Sequence, residues 1–333
     1  MGVMSLTEIM DNSIEVLKKY LKVIITFNFA YGALSIIGMI GFMVVGGIFL
    51  AISLALKLNA VINGIVFFVF TISIIAFITN FKIGLIKISS QEISKEKIYA
   101  SQAISASFKK LFVVLGVILM EILLYLPVVG IFAAIGYLFF DEILKSNLIY
   151  GIFDKNEIGI MIIIFVFVLL MVLSFLAYVT IFSFAFHAVA IENKGVFAAL
   201  KRSYNLVKRN YFKILGCTIL FNLASSAIIY SLQSFIGLLG GIIYIILKFL
   251  NVQQDLLKFA TSVYNFSSWP ISILSWLVIT PIGTIMVTYL YYNQIFKKEG
   301  YDITLKLNKL QKDKEKEQLS EGTQYNNSIK PRI

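Results

Sequence analysis

The sequence predicts an all-α polytopic membrane protein with about six membrane-crossing helices, and three observations carry that prediction. First, 59% of the 333 residues are hydrophobic and only 14% are charged, with a mean hydropathy of +0.88. A soluble domain carries roughly 25% charged residues, so this chain needs lipid as part of its solvent. Second, five long runs lack any charged side chain: Val23–Leu56, Leu58–Phe81, Ile158–Ile191, Ile214–Leu247 and Phe266–Phe296. A sixth, Leu111–Phe140, holds one, Glu121. Each exceeds the roughly 20 apolar residues that a spanning helix requires. Third, basic residues alternate between the connections. Segments 1–22, 82–110, 192–213 and 297–333 hold 24 of the 29 Lys and Arg residues. The remaining five are Lys57, Lys145, Lys155, Lys248 and Lys258. Basic residues collect on the cytoplasmic side. Both termini are therefore expected inside, as an even number of spans requires, and the expected location is the bacterial cytoplasmic membrane.

Taken in order, the spans fall into three repeats, at about residues 5–92, 93–192 and 193–296 of a single membrane domain spanning 1–296. An amphipathic segment opens each repeat: Ser5–Lys22, Ile98–Val114 and Val196–Lys213. Aligned on their basic pairs, the segments superpose Lys18-Lys19, Lys109-Lys110 and Lys208-Arg209. The first places Leu6, Ile9, Met10, Ile14, Leu17 and Leu21 at helical spacing, and Ser5 with Glu8 predicts a capping box, each side chain satisfying a backbone amide at the helix start. In the third, Val196, Leu200, Tyr204, Val207 and Tyr211 form the stripe, with Lys201 and Arg202 on other faces. Two uses fit such helices. They can lie in the membrane interface with Lys18, Lys19, Lys109, Lys110, Lys201, Arg202, Lys208 and Arg209 near anionic lipid headgroups, or they are elbows that pack on neighbouring helices and set topology.

The spans themselves are long. A run of 34 residues makes a helix of about 51 Å at 1.5 Å per residue, against a hydrocarbon core of about 30 Å. Tilting, kinking, protrusion or re-entry is expected, with Gly46-Gly47, Gly240-Gly241 and Pro127 as candidate sites. Gly237 and Gly241 have the spacing for close helix contact. Trp269, Trp276, Tyr289, Tyr291 and Tyr292 bracket the last span as an aromatic belt would. The Asp141–Glu157 loop is slightly acidic and expected outside. The charged tail, 297–333, is expected to be cytoplasmic and partly disordered, with a solvated helix over Thr304–Leu319. The N-terminus lacks the short apolar core and small-residue cleavage site of a signal peptide.

Three stretches carry a family resemblance. SLTEIMDNSIEVLKKYLKVII at the N-terminus, ALKRSYNLVKRNYFKILG at Ala199–Gly216, and the close of the last span, TYLYYNQIFKKEGYDI, ending at Ile303, resemble the bacterial membrane domain attached to some glycerophosphoryl diester phosphodiesterases. Tyr291-Tyr292, Lys297-Lys298 and Glu299-Gly300-Tyr301-Asp302 fill that family's terminal pattern, while Asn293 stands where Asp is more usual. The resemblance covers about residues 5–305. It implies a stand-alone membrane domain with an envelope or lipid association, and no enzymatic activity, because the relatives' catalysis belongs to a separate soluble barrel.

The residues point the same way on chemistry. The single histidine, His187, and Glu192 are too few for a metal site, which needs three or four protein ligands. Nucleophile-elbow and phosphate-loop motifs are absent from the sequence, so no catalytic residue, metal or cofactor is expected. The single cysteine, Cys217, allows no intrachain disulfide. Basic clusters that hug the spans favour membrane lipid as partner over nucleic acid. Glu121 stands out: an acid inside a span costs on the order of 2.5–3.5 kcal/mol and is a functional candidate by default. It either serves function, or is a hydrogen-bonded glutamate holding the bundle together, with Asn28, Asn80, Asn222, Gln233 and Thr280 as candidate neighbours. Two functional readings follow. One is a non-enzymatic, envelope- or lipid-associated protein that binds anionic lipid through its basic helices. The other is a transporter or permease subunit of an export or self-protection system, with a partner membrane protein or ATPase.

Overall fold

The computed structural model describes residues 4–57, 59–145, 155–250 and 255–300. The Thr304–Leu319 helix and the rest of the tail lie outside the described residues, as does the centre of the 141–157 loop. The described chain is α-helical: α1 (Leu6–Leu56), α2 (Ala60–Thr79), α3 (Phe81–Ser94), α4 (Ala100–Lys145), α5 (Lys155–Phe182), α6 (Ala185–Ile191), α7 (Val196–Val207), α8 (Tyr211–Phe249), α9 (Leu256–Leu274), a π-helical turn (Ser275–Ile279) and α10 (Thr280–Glu299). Six stretches are long and apolar enough to cross a membrane: Leu6–Ser53, Ala60–Ser94, Ala100–Leu138, Met161–Ile191, Tyr211–Phe249 and Leu256–Glu299. The chain is an all-α polytopic membrane protein.

Local chemistry starts and stops these helices. The capping box forms: the Ser5 amide donates to Glu8 Oε2 at 2.7 Å and the Glu8 amide to Ser5 Oγ at 3.3 Å. Asn59 caps α2 and Asp255 caps α9, each side chain accepting from the amide two residues on. Gly300 ends α10 with φ 58°, the left-handed conformation glycine adopts without a side-chain clash.

The helices divide into a packed body and three apolar hairpins. In the body, the first half of α1, α3, the start of α4, α6, α7, the start of α8 and α10 surround two contiguous hydrophobic clusters. Ten residues of α3 are buried, and every residue of α10 from Thr288 to Phe296 is buried. The close fit depends on Gly84, where an added methyl would meet Phe27 at 2.2 Å. Beyond the body, α1/α2, α4/α5 and α8/α9 continue as hairpins covered in exposed apolar side chains, such as Met43, Phe67, Leu138, Phe165 and Ile245. This resolves the excess length. The long runs protrude: the end of each run nearest the body packs into it, and the remainder faces outward with the apolar surface that lipid covers.

Several sequence expectations change. The opening segments of the first and second repeats are not separate interfacial helices; they run unbroken into α1 and α4. Lysine is a good helix former, so a basic pair does not interrupt a helix. Only the third repeat has a distinct opening helix, α7, where the chain breaks at Asn210 (φ −129°). The stripe residues of α1 and α7 turn inward: Ile9, Leu17, Leu200 and Val207 are buried within the protein, while Ile14, Leu21 and Tyr204 stay exposed. Gly46-Gly47 and Gly240-Gly241 do not break their helices. Gly240 instead admits Val263, which an added methyl would meet at 2.8 Å, whereas one at Gly237 or Gly241 would meet nothing within 4 Å. The helix-contact glycine is therefore Gly240. Tyr289, Tyr291 and Tyr292 form no belt; they are core residues, because α10 is enclosed by the body, and Trp269 alone of the five is broadly exposed.

Candidate functional site

One end of the molecule gathers the basic segments. Asn293 near the end of α10 holds the Met4 backbone, its Oδ1 accepting from the Met4 amide at 2.9 Å and its Nδ2 donating to the Met4 carbonyl at 3.0 Å. Lys19 of α1 pairs with Glu92 of α3 at 2.6 Å. The starts of α1 and α7 thus meet the ends of α3 and α10. Glu192, after α6, accepts from Arg202 Nε at 2.9 Å, from Lys194 at 3.1 Å and from the Tyr291 hydroxyl. Arg202 also forms a fork with Glu299, with Nη2 to Oε2 at 2.8 Å. Hydrogen bonds from the guanidinium to Glu299, then to Glu192, raise the Arg202 pKa above its ordinary value. Lys298 donates to the carbonyls of Asn205 and Leu206 at 2.6 and 2.9 Å, closing the end of α7.

The eight basic residues singled out by sequence therefore separate. Arg202 is committed to Glu192 and Glu299, and Lys19 to Glu92, while Lys110 is half-buried. Lys18, Lys109, Lys201, Lys208 and Arg209 are exposed. Large aromatic side chains stand beside them: Phe112 follows Lys109-Lys110 at 82% exposed, and Phe212 follows Lys208-Arg209 at 83% exposed.

Glu121 leads to a second site. A cavity of about 570 Å³ lies between α3, α4, α5, α6, α8 and α10, and more than half of its lining residues are polar. Lys82 and Glu121 both face it. From Phe81 to Ile86 only Lys82 is exposed, and its side chain lines this cavity. Among the described residues no ion pair within 4 Å involves either charge. The α8 wall presents Thr218, Asn222, Ser225 and Ser226, a polar stripe at helical spacing, and the opposite wall presents Ser275 of the π-helical turn with Thr280 and Thr284 of α10. π-Helical turns concentrate at functional sites, and this one follows Pro270 inside α9.

Each charged or polar group is held by a local device. Asn80 separates α2 from α3 and donates to the Ser107 carbonyl at 2.8 Å, which sets Lys82 on the first turn of α3. The Tyr178 hydroxyl of α5 donates to the Glu121 backbone carbonyl, fixing α5 on α4, and its ring lies 4.7 Å from that of Tyr125. The α5–α6 break is held by buried Ser203 of α7. Its hydroxyl accepts from the Phe184 amide at 3.1 Å and donates to the Ile181 carbonyl at 2.7 Å. The break brings His187 into the cavity wall, stacked on Tyr291 with ring centroids 5.5 Å apart. His187 is 5% exposed and neither ring nitrogen has a hydrogen-bond partner. The Ser183 backbone stands close enough to interact with the ring, yet not at hydrogen-bonding geometry.

Of the candidate neighbours of Glu121, Asn222 and Thr280 share its cavity. Asn28 instead donates to the carbonyls of Trp276 and Leu277, Asn80 to Ser107, and Gln233 lines a separate pocket within the α8/α9 hairpin. Sequence reasoning missed Lys82, which it grouped with the basic connection that follows, and the hydroxyl stripe of α8, which was legible at positions 218, 222, 225 and 226. Among the described residues no group of three or more His, Cys, Asp or Glu side chains could hold a metal ion.

No curated protein and no solved structure matches the sequence or fold of this chain. Residues 21–295 match a family defined as a domain of unknown function. That stretch takes in most of every span, both charged groups of the cavity and most of the basic end, so the chain belongs to the DUF7847 family.

Proposed function

We propose that the chain is a non-enzymatic, lipid-associated membrane protein of the cell envelope, whose basic end faces the cytoplasm and holds anionic lipid. The observation that carries this reading is the pairing of exposed cations with exposed aromatics at one end. Lys18, Lys109, Lys201, Lys208 and Arg209 have no acidic partner among the described residues, and Phe112 and Phe212 extend outward beside two of the basic pairs. Phenylalanine beside basic residues can insert into the headgroup–acyl boundary as the apolar face of an interfacial element does, and each nearby cation adds roughly 1 kcal/mol of attraction to an anionic surface. The resemblance to the membrane domain of certain phosphodiesterases supports the same association by analogy. The location that fits the charge bias is the bacterial cytoplasmic membrane, with both termini inside.

Mass spectrometry of lipids retained by the protein purified in mild detergent tests this reading. Anionic lipid is expected in selective excess over zwitterionic lipid at low salt. Replacing Lys109, Lys208 and Arg209 by Gln should remove that excess while helicity is unchanged. An excess that survives the replacement would overturn the role of the basic end.

A second reading, a transporter or permease subunit, draws on the charged cavity among the spans and on the helix breaks that border it. A stoichiometric ATPase that co-purifies without lipid selectivity would favour it over the first.

A further inference from the structure

Opposite charges that share a cavity without touching each other leave a gap that a ligand of complementary charge can fill. Lys82 and Glu121 are such a pair, and both lie within apolar spans, where a lone charge is costly. His187 is buried in the same wall, stacked on Tyr291, and its ring nitrogens lie beneath the cavity surface. The Ser225 hydroxyl adds a neutral polar group to the lining, whereas the Thr284 hydroxyl already donates to the Thr280 carbonyl at 3.2 Å. Cavities of roughly 300–1,000 Å³ accommodate small molecules or headgroups, and this one measures about 570 Å³.

We propose that this cavity binds the zwitterionic headgroup of an aminophospholipid, its phosphate drawn to Lys82 and its ammonium to Glu121. A simple anion would meet Lys82 but would be repelled by Glu121, and a simple cation the reverse. A zwitterion satisfies both. The acyl chains have a path, because Val179 of α5 lines the cavity and is exposed, and Phe175 of α5 with Ile219 and Leu223 of α8 expose further apolar surface on two of the helices that form it. This deepens the lipid-associated reading but uses none of the exposed cations at the basic end, so the two stand or fall by different variants.

The test is native mass spectrometry of the full chain in detergent doped with phosphatidylethanolamine, phosphatidylglycerol or phosphatidylcholine, at high salt. High salt screens exposed charges more than buried ones, so lipid held at the basic end is stripped. Phosphatidylethanolamine should remain bound at one copy per chain, favoured roughly tenfold over phosphatidylglycerol, which corresponds to about 1.4 kcal/mol. Phosphatidylcholine should be held less well, since its trimethylammonium cannot donate a hydrogen bond to Glu121. Lys82→Met should remove retention of both. Glu121→Gln, which keeps shape and size, should erase the preference for phosphatidylethanolamine over phosphatidylglycerol and so reports even if the lysine variant fails to fold. Competition by free phosphoethanolamine would identify a soluble zwitterion as the source of the headgroup, and failure to compete a lipid. Equal retention of all three lipids, or unchanged selectivity in Glu121→Gln, would overturn the proposal. Loss of high-salt selectivity in the Lys109, Lys208 and Arg209 variant would overturn the independence of this site from the basic end.

Discussion

Asn293 shows how one side chain can join two ends of the chain. A carboxamide offers an acceptor and a donor side by side, and Met4 presents the matching amide and carbonyl, 289 residues away. A carboxylate at this position would accept from the amide but place a negative oxygen against the carbonyl. Asn293→Asp should therefore lower stability by about 1–3 kcal/mol, the cost of leaving a buried polar group unsatisfied. Thermal unfolding in detergent measures this, and an Asp variant as stable as the original would show that the amide is not the clamp. From the sequence Asn293 was visible only as a departure from a family pattern, because no local signal encodes a partner so distant. Glu121 was legible for a local reason: it is the one charge in its run. Lys82 was not, because it borders a run and reads as the first residue of a basic connection. The turn at Asn80 and the ten buried residues of α3, Gly84 against Phe27 among them, carry α3 into the body and bring Lys82 to the cavity.

At the scale of helices, hydropathy predicted where the spans run but not where they break. The α5–α6 interruption at Ser183 and Phe184 has no glycine or proline to announce it. It is a tertiary break, stabilised by the Ser203 hydroxyl of α7. Ser203→Ala would strand a buried amide and carbonyl at once. The expected loss is again about 1–3 kcal/mol, together with displacement of His187. The second effect separates this variant from a merely destabilised one: fluorescence or mass labelling at the cavity should change before global unfolding, and a cavity left intact would mean that α6 is positioned by packing alone. Gly84→Leu probes the same body from the other side. With a methyl already at 2.2 Å from Phe27, a larger side chain forces α3 off α1. Overpacking of this kind costs about 1–3 kcal/mol or more, and the melting temperature should fall accordingly. The basic pairs mark the opposite case. Their sequence similarity suggested three equivalent elbows, yet two lie inside continuous helices and only the third is followed by a break, at Asn210, whose side chain donates to Gln294 at 2.8 Å.

For the whole molecule, the division into a packed body and apolar hairpins ties topology to charge. Among the described residues the body carries the basic segments, while the hairpin connections hold only Lys57, Lys145, Lys155, Lys248 and Lys258 of the 29 basic residues in the sequence. Turning the molecule over would move four heavily basic segments across the membrane in exchange for five lysines, which the positive-inside bias opposes at every hairpin. Lys201 on α7 and Lys258 on α9 are both exposed and lie on opposite sides of the spans. With buried Cys217 replaced by Ala, single Lys201→Cys and Lys258→Cys variants report the two sides separately. A membrane-impermeant maleimide applied to intact cells should label the cysteine at 258 and spare the one at 201 until the membrane is opened. The reverse pattern would place the basic end outside, away from the anionic leaflet, and the lipid-associated role of its exposed cations would fall with it.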